Sequence, residues 1–204
     1  MDSLDFLNNS PTGRATLHVC YSDGTSAQIT GLDLDLIHAT SPLLALAFEE
    51  GRSGPRHYIE DVSQAALACF LRYIYTRPSD YVPESCKADR LSLQLHTHVY
   101  HLAKIYDVPG LQALAKTNVM RECEFSCSMR SSPVDLCEAI VYVYSKLPSH
   151  VDMVDTLINY CATMFLYHRL GDDAGFRRLA YEHRTFQQDL CAINITRGFV
   201  DDGM

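Results

Sequence analysis

The chain has 204 residues, of which 47% are hydrophobic. This is enough for one sizeable core, or for one domain with a helical annex. Its formal net charge of -8 disfavours direct binding to the phosphates of a nucleic acid. No apolar run approaches the roughly 20 residues needed to cross a bilayer, and the polar first 12 residues lack the pattern of a signal peptide. We therefore expect an intracellular protein, cytoplasmic or nuclear, without a membrane partner.

The cysteines are the next feature that bears on the class of protein. There are 8 of them, an even number that would suggest disulfides in a small secreted chain. Cys69, however, lies in the run Ala-Leu-Ala-Cys-Phe-Leu, where a thiol behaves as a small hydrophobic group. Because we expect a reducing compartment, we predict free thiols.

The first elements of the chain follow a lead of residues 1–13, which we expect to be flexible. Hydrophobic side chains then alternate in the segment Thr16-Leu-His-Val-Cys-Tyr21, the pattern of a half-buried strand. Asp23-Gly24 follows, and Asp-Gly is a strong signal for a tight turn between two strands. The sequence therefore predicts a β-hairpin over about residues 15–30.

A dense apolar segment, Leu32 to Glu50, follows the hairpin and is interrupted by Ser41-Pro42. Serine is a good helix N-cap, and proline is well tolerated in a first turn. We therefore predict a short helix before Ser41 and a second helix after it. A short strand is predicted at His57-Tyr-Ile-Glu60. Ser63 is expected to cap a helix whose buried stripe has helical spacing and comprises Leu67, Phe70, Leu71, Ile74 and Tyr75.

The remainder of the chain is predicted to be helical. One helix carries an apolar stripe from Leu91 to Tyr106, and another runs from Leu111 to about Glu122. Residues 123–132 are the predicted linker. Ser132-Pro-Val-Asp135 and Ser149-His-Val-Asp152 are predicted to start two further helices. More helices are expected from Asp173 to His183 and from Phe186 to Ile193.

These patterns predict an α+β fold, with helices around a small sheet, followed by an all-α extension. The helix end Phe70-Leu-Arg-Tyr-Ile-Tyr-Thr76 and the helix pair His98-Val-Tyr-His-Leu-Ala-Lys-Ile-Tyr-Asp-Val-Pro-Gly-Leu111 resemble the BTB/POZ domain. Ser41-Pro42 is similar to the Ser-Pro pair of that family. The resemblance implies a BTB/POZ domain over residues 14–122, with the linker 123–132 after it. Residues 133–204 resemble the helical C-terminal extension of stand-alone fungal BTB proteins.

The resemblance implies a module that binds other proteins and is not an enzyme. Many family members pair through their first helices, so we expect a homodimer through the segment Leu32 to Leu46. The apolar residues predicted to contact a partner there are Leu36, Ile37, Leu43 and Leu44. A second hypothesis is a substrate adaptor of a cullin-3 ubiquitin ligase, because Phe48-Glu-Glu50 fits the apolar-x-Glu pattern of the cullin-binding members. A third is a transcriptional co-regulator that recruits corepressors without contacting DNA.

Two clusters of potential metal ligands in the sequence do not match the ligand arrangement of a zinc site. His96, His98 and His101 lie within six residues, with Cys86 nearby. Only His98 and His101 share a helix face, whereas a zinc site requires four converging ligands. Cys123 and Cys127 form a single pair, whereas zinc ribbons use two pairs. We therefore expect no metal, no cofactor and no catalytic residues.

Overall fold

The computed structural model describes residues 2–9, 12–76, 81–83 and 92–197. It is an α+β structure with one three-stranded mixed sheet and, within these residues, nine α-helices. The chain divides into two compact units. The first comprises Met1–Arg90 with His98–Ala115, and the second comprises Leu91–Thr97 with Lys116–Met204. The predicted α+β class is thus confirmed.

The sheet belongs to the first unit and has the strand order β2-β1-β3. Its strands are β1 (Ala15–Tyr21), β2 (Ser26–Leu32) and β3 (Arg56–Val62). β1 and β2 are antiparallel, as the predicted hairpin requires, whereas β3 runs parallel to β1. The alternating residues Leu17, Val19 and Tyr21 are all buried. This confirms that one face of β1 packs on the core.

Two short helices, α1 (Leu34–Thr40) and α2 (Pro42–Leu46), connect β2 to β3. The Asp33 carboxylate caps α1. Ser41 caps α2, and Pro42 is its first residue, as predicted. After α2 the chain becomes extended, and Glu49 pairs with Arg56 in an isolated antiparallel bridge.

Helix α3 (Gln64–Thr76) follows β3 and is deeply buried. Its predicted cap is confirmed, because the Ser63 carbonyl accepts from the Leu67 N–H and its hydroxyl accepts from the Ala66 N–H. The predicted stripe is buried at Leu67, Phe70, Leu71 and Ile74, whereas Tyr75 is half-buried. Ala66, Ala68 and Cys69 are buried as well, so α3 is enclosed on more than one face.

Helices α4 (Leu93–Ile105) and α5 (Pro109–Ser126) each contribute residues to both units. Asp107 separates them with a left-handed backbone, at φ 50°. The predicted end of α5 near Glu122 is wrong, since the helix continues to Ser126. Cys123 and Ser126 are buried, so packing extends the helix into the first residues of the predicted linker 123–132.

The second unit also contains α6 (Leu136–Lys146), α7 (Val151–Met164), α8 (Ala174–Glu182) and α9 (Arg184–Thr196). Phe186 is completely buried, with edge-on contacts to Tyr144 at 5.6 Å and to Phe176 at 5.7 Å between ring centroids. The predicted helices from Asp173 and around Phe186 are therefore confirmed. None of the helices in the described ranges combines the length and apolar character needed to cross a membrane.

The predicted start of α6 is wrong, whereas the start of α7 lies within the predicted segment Ser149-His-Val-Asp152 and is displaced by one residue. α6 begins at Leu136, and the Asp135 side chain does not cap it. Asp135 Oδ2 instead accepts from the Ser92 hydroxyl at 2.8 Å and from the Gln94 N–H at 2.9 Å. This carboxylate therefore satisfies donors at the start of α4. α7 begins at Val151 with His150 at the N-cap position, not Ser149.

The N-terminal lead is partly ordered, because residues Asp2–Asn9 form a 3-10 helix. Phe6 lies against Tyr75 of α3, with ring centroids 6.2 Å apart. An apolar side chain of the lead therefore packs against α3 in the first unit. Cys86 and Leu91, which entered the predictions, lie outside the described residues.

Truncating Phe70 should destabilise the fold strongly. The ring is completely buried and packs on Tyr106 with centroids 5.6 Å apart. Phe70→Ala should therefore lower the free energy of unfolding by about 3–5 kcal/mol. Urea denaturation measures this change. Phe125→Ala, at a half-exposed position of α5, is the control and should cost less than about 1 kcal/mol; equal effects of the two variants would contradict the assigned core.

Candidate protein-interaction surface

A single buried hydroxyl group joins two helix ends in the first unit. Ser41 Oγ donates to the carbonyl of Tyr106 at 2.6 Å and accepts from the Leu44 N–H at 3.1 Å. The Tyr106 carbonyl lies just after α4, where helix carbonyls lack intrahelical partners. Ser41 thus caps the start of α2 and satisfies the end of α4 at the same time.

The tyrosines of α3 make the next two connections. The Tyr75 hydroxyl accepts from the Asp33 N–H at 2.8 Å, immediately before α1. The Tyr73 hydroxyl lies so close to Gly110 that a Cβ at residue 110 would be 2.5 Å from it. Any larger side chain there would displace Tyr73. The end of α3 is therefore fitted to the starts of both α1 and α5.

His57 of β3 extends this network toward the segment after α2. Its Nε2 lies 3.1 Å from the Tyr106 hydroxyl, and the ring donates to the carbonyl of Ala47. Burial lowers the pKa of His57, and the hydrogen bond to Ala47 and the charge of Glu49 only partly oppose this. Burial also raises the pKa of Tyr106 to about 12. Both groups are therefore uncharged at pH 7, and His57 Nε2 accepts a hydrogen bond from the Tyr106 hydroxyl.

Phe48 and Glu50 lie on either side of the bridge between Glu49 and Arg56. The backbone N–H of each bridge residue donates to the other's carbonyl at 2.8 Å. The Phe48 ring is half-buried, with its centroid 5.6 Å from that of His57. Glu50 is exposed. The segment Phe48 to Glu50 is therefore held in an extended form, with one partly accessible ring and one accessible carboxylate.

The structure corrects the set of predicted partner-binding residues on α1 and α2. Ile37 and Leu44 are fully enclosed in the protomer, so they cannot contact a partner and serve the core instead. Leu36 is half-buried. Leu43 is 48% exposed and Leu46 is 77% exposed. Leu43 thus remains a candidate contact residue and Leu46 joins it.

Leu46 was not named individually among the predicted contacts. Leu43 and Leu46 are three residues apart, and residues at this spacing share one side of a helix. Leu44 lies on the other side of the turn and is held in the core by the Ser41 cap. The run Leu-Leu-Ala-Leu is too short for its periodicity to show which leucines face solvent.

Histidine and cysteine side chains are the commonest protein ligands of zinc, so their placement in the described part of the chain bears on a metal site. No group of three or more His, Cys, Asp or Glu residues there could hold a metal ion. His96 is buried, and burial lowers the pKa of His98 to about 4. The seven described cysteines are free thiols, and burial raises the pKa of Cys123 to about 12. That thiol is therefore protonated and weakly nucleophilic at neutral pH.

Comparison with known proteins does not assign the chain to a family. No protein-family model matches it, and a search of curated proteins finds no match.

Ser41→Ala should be unusually costly for a small polar substitution. It removes a helix cap and leaves the Tyr106 carbonyl without its donor, so the free energy of unfolding should fall by about 2–3 kcal/mol. Chemical denaturation of Ser41→Ala and of the wild-type protein measures this difference in the free energy of unfolding. Ser63→Ala is the matched control, because Ser63 caps α3 through a single long side-chain hydrogen bond of 3.4 Å, and it should cost about 1 kcal/mol or less. If Ser41→Ala costs no more than Ser63→Ala, Ser41 does not join the two helices.

Proposed function

We propose that the chain is a protein–protein interaction module of the BTB/POZ type that associates with a second copy of itself. The order of elements supports this: a hairpin, a helix pair divided by Ser-Pro, a parallel third strand, α3, and the pair α4 and α5. The contacts support it further. Ser41, Tyr73, Tyr75 and Tyr106 belong to the motifs that resemble the family, and each makes a contact that joins two of these elements.

The exposure of two leucines on α2 is the observation that supports the proposed self-association. Leu43 and Leu46 together place an apolar patch on a helix that is otherwise anchored in the core. A two-fold contact uses the same patch on both copies, so the apolar face of α2 in one copy can cover the identical face in the other. Pairing of α2 with α2 would remove both side chains from water. The half-buried Leu36 of α1 lies in the same helix pair and can extend this contact.

Replacing the exposed leucines should abolish self-association without unfolding the protomer. The wild-type protein should sediment at about twice 23.0 kDa at micromolar concentration. The double variant Leu43→Asp/Leu46→Asp should sediment as a monomer, because four carboxylates would otherwise meet at a two-fold contact. Tyr181→Asp, at an exposed aromatic position of α8, is the control and should remain dimeric. A monomeric wild-type protein at high concentration would contradict the proposal.

A second candidate function is that of a cullin-3 adaptor, and the accessibility of Phe48 and Glu50 favours it. Glu50 is exposed, and the half-buried Phe48 precedes it by two residues. The adjoining turn is tight, with mutual backbone hydrogen bonds between Gly51 and Gly54 at 3.2 Å. A partly exposed ring beside an ordered turn can enter a partner's pocket, where a buried aromatic anchor contributes about 2 kcal/mol or more.

Capture of a cullin-3 N-terminal fragment tests this second candidate. Phe48→Ala should abolish capture, while Glu50→Ala should only weaken it, because charges at the rim of an interface mainly alter association rates. Thermal stability must be measured on the same samples. If the wild-type protein captures no cullin-3, or if Phe48→Ala unfolds the protein, the adaptor hypothesis fails as argued from this segment. Self-association is tested separately and does not depend on this outcome.

A further inference from the structure

The solvent-facing side of the sheet contains a hollow of about 460 Å³ that spans all three strands. Side chains alternate along a strand, so the outward positions form two rows across the sheet. One row consists of Gln28, His18 and Tyr58, and the other of Ser26, Cys20 and Glu60, as the strand register requires. The inward neighbours Val19 and Ile59 are buried. The outward side chains that line the hollow are therefore mainly polar and aromatic, and its floor is the backbone of the three strands.

Tyr58 provides a fixed aromatic surface in this hollow. Its ring stacks on that of His18, with centroids 4.7 Å apart and planes inclined by 13°. The residue is nevertheless 63% exposed, so the face turned away from His18 is largely open to solvent. An aromatic face attracts cations through its quadrupole. The stacking on His18 orients this face before any partner arrives.

Glu60 provides a carboxylate next to this aromatic surface. It lies two residues after Tyr58 on the same strand, so the two side chains leave the same face about 7 Å apart. Glu60 is exposed. No Lys or Arg is among the described residues that line the hollow, and the whole chain carries a net charge of -8. The electrostatic complement of the hollow is therefore a positively charged group.

We propose that this hollow binds the guanidinium group of an arginine side chain in an extended segment of a partner protein. A guanidinium is planar, stacks on aromatic faces and donates in a fork that matches a carboxylate. It can thus lie on Tyr58 and donate to Glu60 at the same time. A lysine ammonium is a strongly hydrated point charge and gains less from the aromatic face. This inference is independent of self-association, because it uses the outward side of the sheet and not α2.

Titration of the full-length ¹⁵N-labelled protein with acetyl-Gly-Arg-Gly-amide tests the inference by NMR. The expected result is a saturable shift of the amide signals of Cys20, Tyr58 and Glu60. The matched peptide with citrulline in place of arginine has nearly the same shape without the charge, and it should bind at least tenfold more weakly. Raising the salt concentration should weaken binding of the arginine peptide. Equal binding of both peptides, or shifts confined to other parts of the chain, would overturn the proposal.

Two variants separate the contributions of the ring and the carboxylate. Glu60→Gln and Tyr58→Leu should each reduce the affinity for the arginine peptide at least fivefold. Glu138→Gln, at an exposed carboxylate of α6 outside the hollow, is the control and should leave the affinity unchanged. Tyr58 and Glu60 are both exposed, so neither substitution should alter the melting temperature by more than a few degrees. Undiminished binding by both Glu60→Gln and Tyr58→Leu would show that the hollow is not the site.

Discussion

The arrangement of the first unit depends on the hydrogen bond between Ser41 Oγ and the Tyr106 carbonyl. Both groups are buried, so neither can exchange its partner for water, and leaving either unpaired would cost about 1–3 kcal/mol. The same hydroxyl accepts from Leu44, which fixes where α2 begins. Tyr106 in turn contacts Phe70 and His57. One small polar side chain thereby sets the position of α2 relative to α3, α4 and β3.

This constraint explains why some leucines of α2 are exposed to solvent whereas another is buried. The Ser41 cap orients the single turn that follows, so Leu44 points inward while Leu43 and Leu46 remain accessible. His57 then anchors the carbonyl of Ala47 and supports the Phe48 ring. The surface proposed for self-association and the segment proposed for cullin binding are therefore presented by the same buried contacts. The arginine-binding hollow depends instead on the outward side chains of the sheet.

Local patterns in the sequence were sufficient for the hairpin, the Ser-Pro helix start and the buried stripe of α3. Alternation, N-cap chemistry and helical spacing act over a few residues, so they are visible without the fold. The helix start at Ser132-Pro-Val-Asp135 was predicted wrongly because the Asp135 carboxylate binds donors at Ser92 and Gln94, more than 40 residues away. The burial of Ile37 and Leu44 was missed for a similar reason. Which side of a short apolar helix meets the core is decided by tertiary contacts and not by composition.

Hydrogen exchange at the backbone N–H of Leu44 tests this account most directly. As the third residue of α2, Leu44 has no intrahelical acceptor for its N–H, and the group donates to Ser41 Oγ at 3.1 Å. Its protection therefore reports whether the Ser41 hydroxyl stays fixed between α2 and the Tyr106 carbonyl. The account predicts an opening free energy close to that of global unfolding, and loss of this protection in Ser41→Ala. Exchange in the wild-type protein as fast as that of the exposed Ser53 would contradict it.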